Sequence, residues 1–335
     1  MIKFNHERIK NMKKLMLLVS AAVAAMFSTT AAKADITASG SYGFHAISGG
    51  DVLGGVTSSS GDATTSGTLF MQGGGVSFAM STTTAGGMTV SAKAGVSLDS
   101  NDADNTKGVT GLDSVTFAAD GFKIQVGEVD LPAADGVGEV GFVASAAVDN
   151  GGYTQTGIAT GISSEGYGFV ASTSVSGASV SLGYLADYLN SGVNNAETAS
   201  GDYASGLSVS APMGSATVTI GVASQSGTTS ANTTGGSISL PVGAMTASIG
   251  YEATSTTGAA DATTAAGSIS GSLDADTTWA VGYSDGEKGT LASTMLEAKL
   301  SRSLGGGVSV YAEIQNTSGS GTSGTNIAAG TTVAF

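Results

Sequence analysis

The chain predicts an all-β fold, a closed antiparallel transmembrane barrel of sixteen strands, and three observations carry that prediction. Apolar side chains recur at every second position along most of the length, the period of a strand with two different faces. Short turns alternate with long polar connections. Beyond the N-terminal segment there is no apolar stretch of the ~20 residues that a membrane helix requires, so any crossing is made by strands.

The first 34 residues stand apart from this pattern. A basic stretch ends at Lys13-Lys14, an apolar run extends from Leu15 to Phe27, and Ala32-Lys33-Ala34 precedes Asp35. That succession is a charged region, a hydrophobic region too short to be a stop-transfer helix, and a small-residue cleavage site, which predicts a removable export signal over residues 1–34. Met12-Lys13-Lys14 makes the more ordinary start of such a signal. The expected barrel occupies residues 35–335.

The alternation is clearest in Ile36, Ala38, Gly40, Tyr42 and Phe44; in Met88, Val90, Ala92, Ala94, Val96 and Leu98; in Ala178, Val180, Leu182 and Tyr184; and in Val308, Val310, Ala312 and Ile314. It returns in Ile327, Ala329, Thr331, Val333 and the final Phe335. The interleaved residues are mostly Ser, Thr, Gly, Lys or Glu, so one face of each strand suits an apolar medium and the other suits water. The 52 Gly and 3 Pro fit many short strands joined by tight turns.

Short joints are expected at 83–87, 120–121, 176–177, 212–215, 241–243, 274–276 and 303–307, and longer polar stretches at 47–66, 99–111, 131–164, 189–202, 226–234, 255–264, 285–293 and 317–325. Seven short turns alternating with eight long loops give sixteen strands, with both ends of the barrel on the short-turn side, the pattern of periplasmic turns and external loops. Tracing direction along that layout places Phe78, Phe117, Phe122, Trp279 and Phe335 near the periplasmic rim and Phe44, Phe169, Tyr188, Tyr203, Tyr251 and Tyr283 near the external rim. Two aromatic belts belong where a barrel meets the two interfaces of a bilayer. The plainer account is that aromatic residues favour strands in any case. Sixteen strands enclose an aqueous channel, and closure is required because an open sheet edge in hydrocarbon leaves amides unpaired.

Cysteine is absent, which excludes disulfides and thiol chemistry and suits an oxidising compartment. Without the signal, 25 acids face 6 bases, a net charge near −19. Such a field repels nucleic acid and favours cations; the alternative reading is that acidic loops keep an exported protein soluble or hold divalent cations loosely.

The 34 residues at 131–164 exceed the usual connection and point to a functional loop. The segment Gly121-Phe122-Lys123-Ile124-Gln125-Val126-Gly127 leads into it. Together with the opening strand, the alternation of turns and loops, and the terminal Phe335, this resembles the general Gram-negative porins, especially their sixteen-stranded alphaproteobacterial type. The resemblance spans essentially the whole chain after residue 34. It implies an outer-membrane homotrimer, in contact with lipid and lipopolysaccharide, that passes small hydrophilic solutes and ions. It also implies recognition of Phe335 by the assembly machinery, and a third loop folded into the lumen with acids facing bases across the pore. Carried onto this sequence, the loop acids are Asp135, Glu139 and Asp149, and the bases in the lumenal register are Lys93, Lys123 and Lys299. Glu297 and Glu313 lie near Lys299 and could pair with it; Glu252 and Asp187 are further candidates for the lining. The sequence departs from enteric members in having Glu128 after Gly127, in lacking their Pro-Glu-Phe-Gly-Gly-like loop motif, and in having Arg302 as its only arginine after the signal. A weak transverse field with a cation bias follows.

Catalytic and metal constellations are missing from the sequence. His6 lies in the signal and His45 near the end of the first strand, so no His-dependent triad or zinc site can be assembled. Asp99, Asn101, Asp102 and Asp104 lack the glycine and the terminal glutamate of a calcium loop. No cofactor and no enzymatic activity are expected. Two alternatives stay open. Residues 139–148 and 153–162 alternate around Asp149-Asn150-Gly151-Gly152, which as wall strands would make eighteen, the sugar-specific porin type. The other is a secreted acidic surface-layer or adhesin protein, against which stand the absence of a fixed repeat and the terminal Phe335.

Overall fold

A computed structural model of the chain describes residues 35–49, 67–97, 109–110, 114–133, 165–187, 203–227, 230–319 and 323–335. They form one antiparallel sheet of seventeen segments. In chain order these are β1 (Asp35–Gly49), β2 (Gly67–Thr83), β3 (Thr89–Ser97), β4 (Val109–Thr110), β5 (Ser114–Ala119), β6 (Phe122–Asp130), β7 (Glu165–Val175), β8 (Ala178–Asp187) and β9 (Tyr203–Met213). The second half continues with β10 (Ala216–Ser226), β11 (Ala231–Val242), β12 (Met245–Thr256), β13 (Ala262–Ser272), β14 (Thr277–Lys288), β15 (Leu291–Gly305), β16 (Val308–Gly319) and β17 (Gly324–Ala334).

Each strand pairs with its neighbours in sequence, and β17 pairs with β1 from Ser41↔Ala334 to Gly49↔Asn326, which closes the sheet. Both β4 and β5 pair with β3, so they are two pieces of one wall strand and the barrel has sixteen. Closure pairs every edge, as hydrocarbon demands.

Side-chain alternation gives the wall its two faces. On β8, Leu182 is 50% exposed and points outward, whereas Leu185, in the opposite register, is fully buried inside. The outward row is apolar on strand after strand: Ile220 and Val222 on β10, Ile238 and Leu240 on β11, Ile249 on β12, Leu296 and Leu300 on β15, Ile327 and Val333 on β17. Exposed aliphatic rows of this extent are a lipid-facing surface.

The seven expected short turns are present at 84–88, 120–121, 176–177, 214–215, 243–244, 273–276 and 306–307. At Ser176-Gly177 both residues have positive φ, 51° and 83°, the type I′ geometry whose twist matches a hairpin.

Several external connections are shorter than the sequence suggests. The expected loop at 285–293 is strand except for Gly289 and Thr290, because β14 continues to Lys288 and β15 begins at Leu291. Those at 226–234, 255–264 and 317–325 are likewise invaded by strand, with β11 starting at Ala231, β13 at Ala262 and β17 at Gly324. Polarity rises where the wall leaves the apolar band, as at outward Asp285 and Glu287, but backbone pairing is indifferent to side-chain polarity. The hairpin turns only at Gly289, where φ is 62°. In the expected loop at 99–111, Val109 and Thr110 form β4.

The eighteen-strand alternative is excluded by register. β6 pairs directly with β7 without interruption, from Phe122↔Thr173 to Asp130↔Glu165, so the wall has no room for two further strands between them; residues 139–148 and 153–162 themselves lie outside the described residues.

Candidate functional site

The inward face of the barrel has two zones of different chemistry. Toward the short-turn end the inward register is dominated by hydroxyls set side by side across strands. One row runs Ser174↔Ser179, Ser179↔Ser210, Ser210↔Thr219 and Thr219↔Ser237; another runs Thr217↔Ser239, Ser239↔Ser248 and Ser248↔Ser268. Several donate to the neighbour across the ladder: Thr219 Oγ1 to Ser210 Oγ (3.0 Å) and Ser248 Oγ to Ser239 Oγ (3.0 Å). Cross-strand hydroxyl pairs stabilise the sheet while leaving a polar, uncharged surface.

Toward the external end the inward positions are buried. From β11 round to β17 these include Thr233, Glu252, Thr254, Thr264, Ser284, Glu297, Glu313, Gln315, Thr317 and Asn326. Thr233 and Thr254 share a 2.7 Å hydrogen bond, and Gln315 Nε2 donates to Glu297 Oε1 at 2.9 Å. On β6 to β11 the same height is mostly apolar, Gln225 apart: Val129, Leu131, Leu185, Ala204, Ala223 and Ala231 form one buried cluster, with Val170 against it. Every one of these faces inward, since the lipid side of the same strands carries Leu182, Leu207 and Val222.

Lys93 on β3 and Lys123 on β6 face the lumen and are exposed. Neither takes part in an ion pair among the described residues. Lys299 on β15 does: its Nζ lies 3.7 Å from Glu313 Oε2 on β16 and 5.6 Å from the centroid of the Tyr311 ring. Tyr311, which the sequence reading passed over, lies in the inward register beside Glu313. Glu252 and Glu297 also face inward, buried rather than lining open water. Asp135, Glu139, Asp149 and the 99–104 acids lie outside the described residues, as does the export segment 1–34. Asp187 closes β8 opposite Tyr167, and His45 pairs with Gly330.

Of the aromatic residues expected at the rims, Phe44, Phe78, Phe122, Tyr203, Tyr251, Tyr283 and Phe335 are exposed on the outward face, and Phe117, Phe169 and Trp279 are half-buried in the same register. Tyr188 lies outside the described residues. Three more rings join the external side: Tyr42 packs edge-on against Phe44 at 5.3 Å, Tyr184 stacks on Tyr203 at 6.4 Å, and Tyr167 is exposed nearby.

The periplasmic turn before β14 holds a small polar cluster. Asp274 Oδ1 accepts from the Asp276 N–H (2.9 Å) and Oδ2 from Thr277 Oγ1 (3.1 Å), while Arg302 Nη1 donates to Thr277 Oγ1 (3.1 Å) and stands 3.6 Å from the Asp274 carboxylate. The hydrogen bond from Asp276, then that from Thr277, with a smaller contribution from Arg302, holds the Asp274 carboxyl below the usual carboxylate range. Arg302 thus ties down a turn and supplies no charge to the lumen.

A closed sixteen-stranded barrel with a lipid-compatible exterior and a largely polar inward face is the architecture of an outer-membrane channel. A family model described as Gram-negative porin matches residues 20–322, and the chain belongs to that family. No curated protein matches the sequence significantly. Among solved structures, similarity extends to OmpF of Salmonella typhi (TM-score 0.67, 12% identity, 91% of this chain and 98% of that one). It extends also to OmpT of Vibrio cholerae (0.65, 12%, 92% and 99%) and to an anion-selective porin from Comamonas acidovorans (0.63, 12%, 90% and 100%). At such identities the likeness is one of fold. The family places the protein in the outer membrane, and the secreted-adhesin alternative falls with it.

Proposed function

We propose that the protein is a passive diffusion channel for small hydrophilic solutes and ions, biased toward cations and assembled as a homotrimer. The observation that carries this reading is the inward zone of exposed and half-buried hydroxyls bounded by a closed wall, a surface that solvates permeants without binding any one of them. Sieving needs neither a cofactor nor a catalytic group. The trimer is supported by the likeness to the trimer form of OmpT, an outer membrane protein of Vibrio cholerae. Export through the segment 1–34 and assembly through Phe335 complete the proposal, with lipid and lipopolysaccharide as the surroundings.

The cation bias rests on the excess of acids after residue 34 and on Asp135, Glu139 and Asp149. Lys93 and Lys123, exposed and facing the lumen, act against it. Charges in a wet pore interact by roughly 1 kcal/mol at contact distance, so the outcome is a bias and not strict selectivity. The test is single-channel recording of the refolded protein in planar bilayers, with the reversal potential under a salt gradient. Stepwise openings in threes with a cation-selective potential are expected, and Lys93→Glu with Lys123→Glu should deepen it. Folded, inserted protein that never conducts would end the channel reading; an anion-selective potential would hand control to the two lysines.

A further inference from the structure

After β6 the chain turns into the barrel. Leu131 and Ala133 are 3% and 5% exposed, and Ala133 has φ of 63°, a conformation that L side chains seldom adopt. The segment passes β7 and rests on the inner faces of β8 and β9. There the inward register presents Gly183 paired directly with Gly206, next to the fully buried pair Leu185↔Ala204.

Both glycines are occupied by the crossing chain. A Cβ on Gly183 would overlap Pro132 Cδ and come within 3.1 Å of Leu131 Cδ1, and one on Gly206 would overlap the Pro132 carbonyl oxygen and stand 3.0 Å from Leu131 Cγ. Two residues nearer the periplasm the same strands carry the hydroxyl pair Ser181↔Ser208, so the change from hydroxyl to glycine coincides with the height at which the chain crosses. The apolar cluster of Val129, Leu131, Leu185, Ala204, Ala223 and Ala231 holds the segment down around this notch.

We propose that Gly183 and Gly206 are positioning residues that set the bore of the channel: their paired notch seats Leu131-Pro132-Ala133 flush against the wall and fixes how far that segment stands into the lumen. The proposal rests on the channel reading. With the wall behind it, a segment lifted from the notch moves only toward the axis, so a methyl group at either glycine narrows the passage.

The test uses the absence of cysteine from the sequence. Ala133→Cys is introduced as a reporter in the full-length protein, folded in detergent and checked by its heat-modifiable gel mobility. Its reaction with a membrane-impermeant maleimide is timed beside single-channel conductance and polymer-exclusion size. The reporter should react slowly in the parent and about tenfold faster in Gly206→Ala, because access to a buried thiol follows local opening. Conductance and exclusion size should both fall. Gly267→Ala, where a Cβ meets nothing nearer than 3.6 Å, should change none of these. Should the Gly206 variant fail to fold, Pro132→Ala removes the ring from the other side of the contact without touching a wall strand, and it should also speed labelling. Folded Gly206→Ala or Pro132→Ala with parental labelling rates would overturn the seat, as would accelerated labelling in Gly267→Ala; parental conductance and exclusion size in Gly206→Ala would overturn its control of the bore. A folded parent that conducts nothing removes the channel reading and the bore with it, while labelling slow in the parent and fast in Gly206→Ala would still identify the seat.

Discussion

The ring of Phe335 lies over Gly40: a Cβ at Gly40 would stand 2.5 Å from Phe335 Cε2 and 2.6 Å from Cζ, and the two backbones exchange hydrogen bonds, Gly40 N to Phe335 O at 2.8 Å and Phe335 N to Gly40 O at 2.9 Å. The final residue therefore completes the seam between β1 and β17, and the glycine opposite it leaves room for the ring.

Deleting Phe335 removes both bonds and the ring contact. With about 1 kcal/mol for each bond, a loss of roughly 2–3 kcal/mol is expected. Urea unfolding in lipid vesicles, followed by gel mobility, should show a lower midpoint with an unchanged slope. An unaltered midpoint would show that these contacts add nothing to the stability of the folded barrel.

Lys299 and Glu313 form a pair that is costly to break from one side. Glu313 is 3% exposed, so Lys299→Met takes a cation from beside a carboxylate buried inside the barrel, at a cost of about 3 kcal/mol. Lys299→Met with Glu313→Gln should recover much of it. A double-mutant cycle by equilibrium unfolding checks this, and purely additive losses would contradict the coupling.

Ile249 and Ser248 are neighbours on β12 that face opposite media. Ile249 is 64% exposed on the outer surface, whereas Ser248 donates to Ser239 inside. Ile249→Arg should destabilise the barrel by about 2–4 kcal/mol in a bilayer, and Ser248→Arg by much less. Equal losses, measured by unfolding from vesicles, would mean that the register is misassigned.

Asp274 has an acid-sensitive role at the periplasmic turn. Its folded carboxyl titrates below the ordinary value of 3.8, so its contribution is complete above the unfolded pKa and fades as the pH falls through the lower folded one. Carbon-13 titration of that carboxyl in micelles should place its midpoint below 3.8, and Asp274→Ala should abolish the acid dependence of the turn. A midpoint at or above the ordinary value would rule out the Asp276 and Thr277 bonds in solution.

Much of the wall was legible in the sequence because its determinants are local. Alternation fixes which residues of β10, β12 or β16 face outward, since a strand turns its side chains by half a revolution per residue. Glycine turns such as Ser176-Gly177 mark where strands reverse, since few residues tolerate positive φ. Strand ends were harder: Asp285 and Glu287 look like loop by polarity, yet they belong to β14, because the ladder continues for as long as a partner is available. Other features were decided only by contacts between distant parts of the chain. Ser41 meets Ala334 across the seam, Lys299 finds Glu313 on the next strand, and Pro132 lies on Gly183 and Gly206 two and three strands away. By itself the sequence determined the period, the faces and the turns. Closure, the inward path after β6 and the pairing of the lumenal charges came from the tertiary structure, since each depends on where the curvature of a sixteen-stranded wall brings separate segments together.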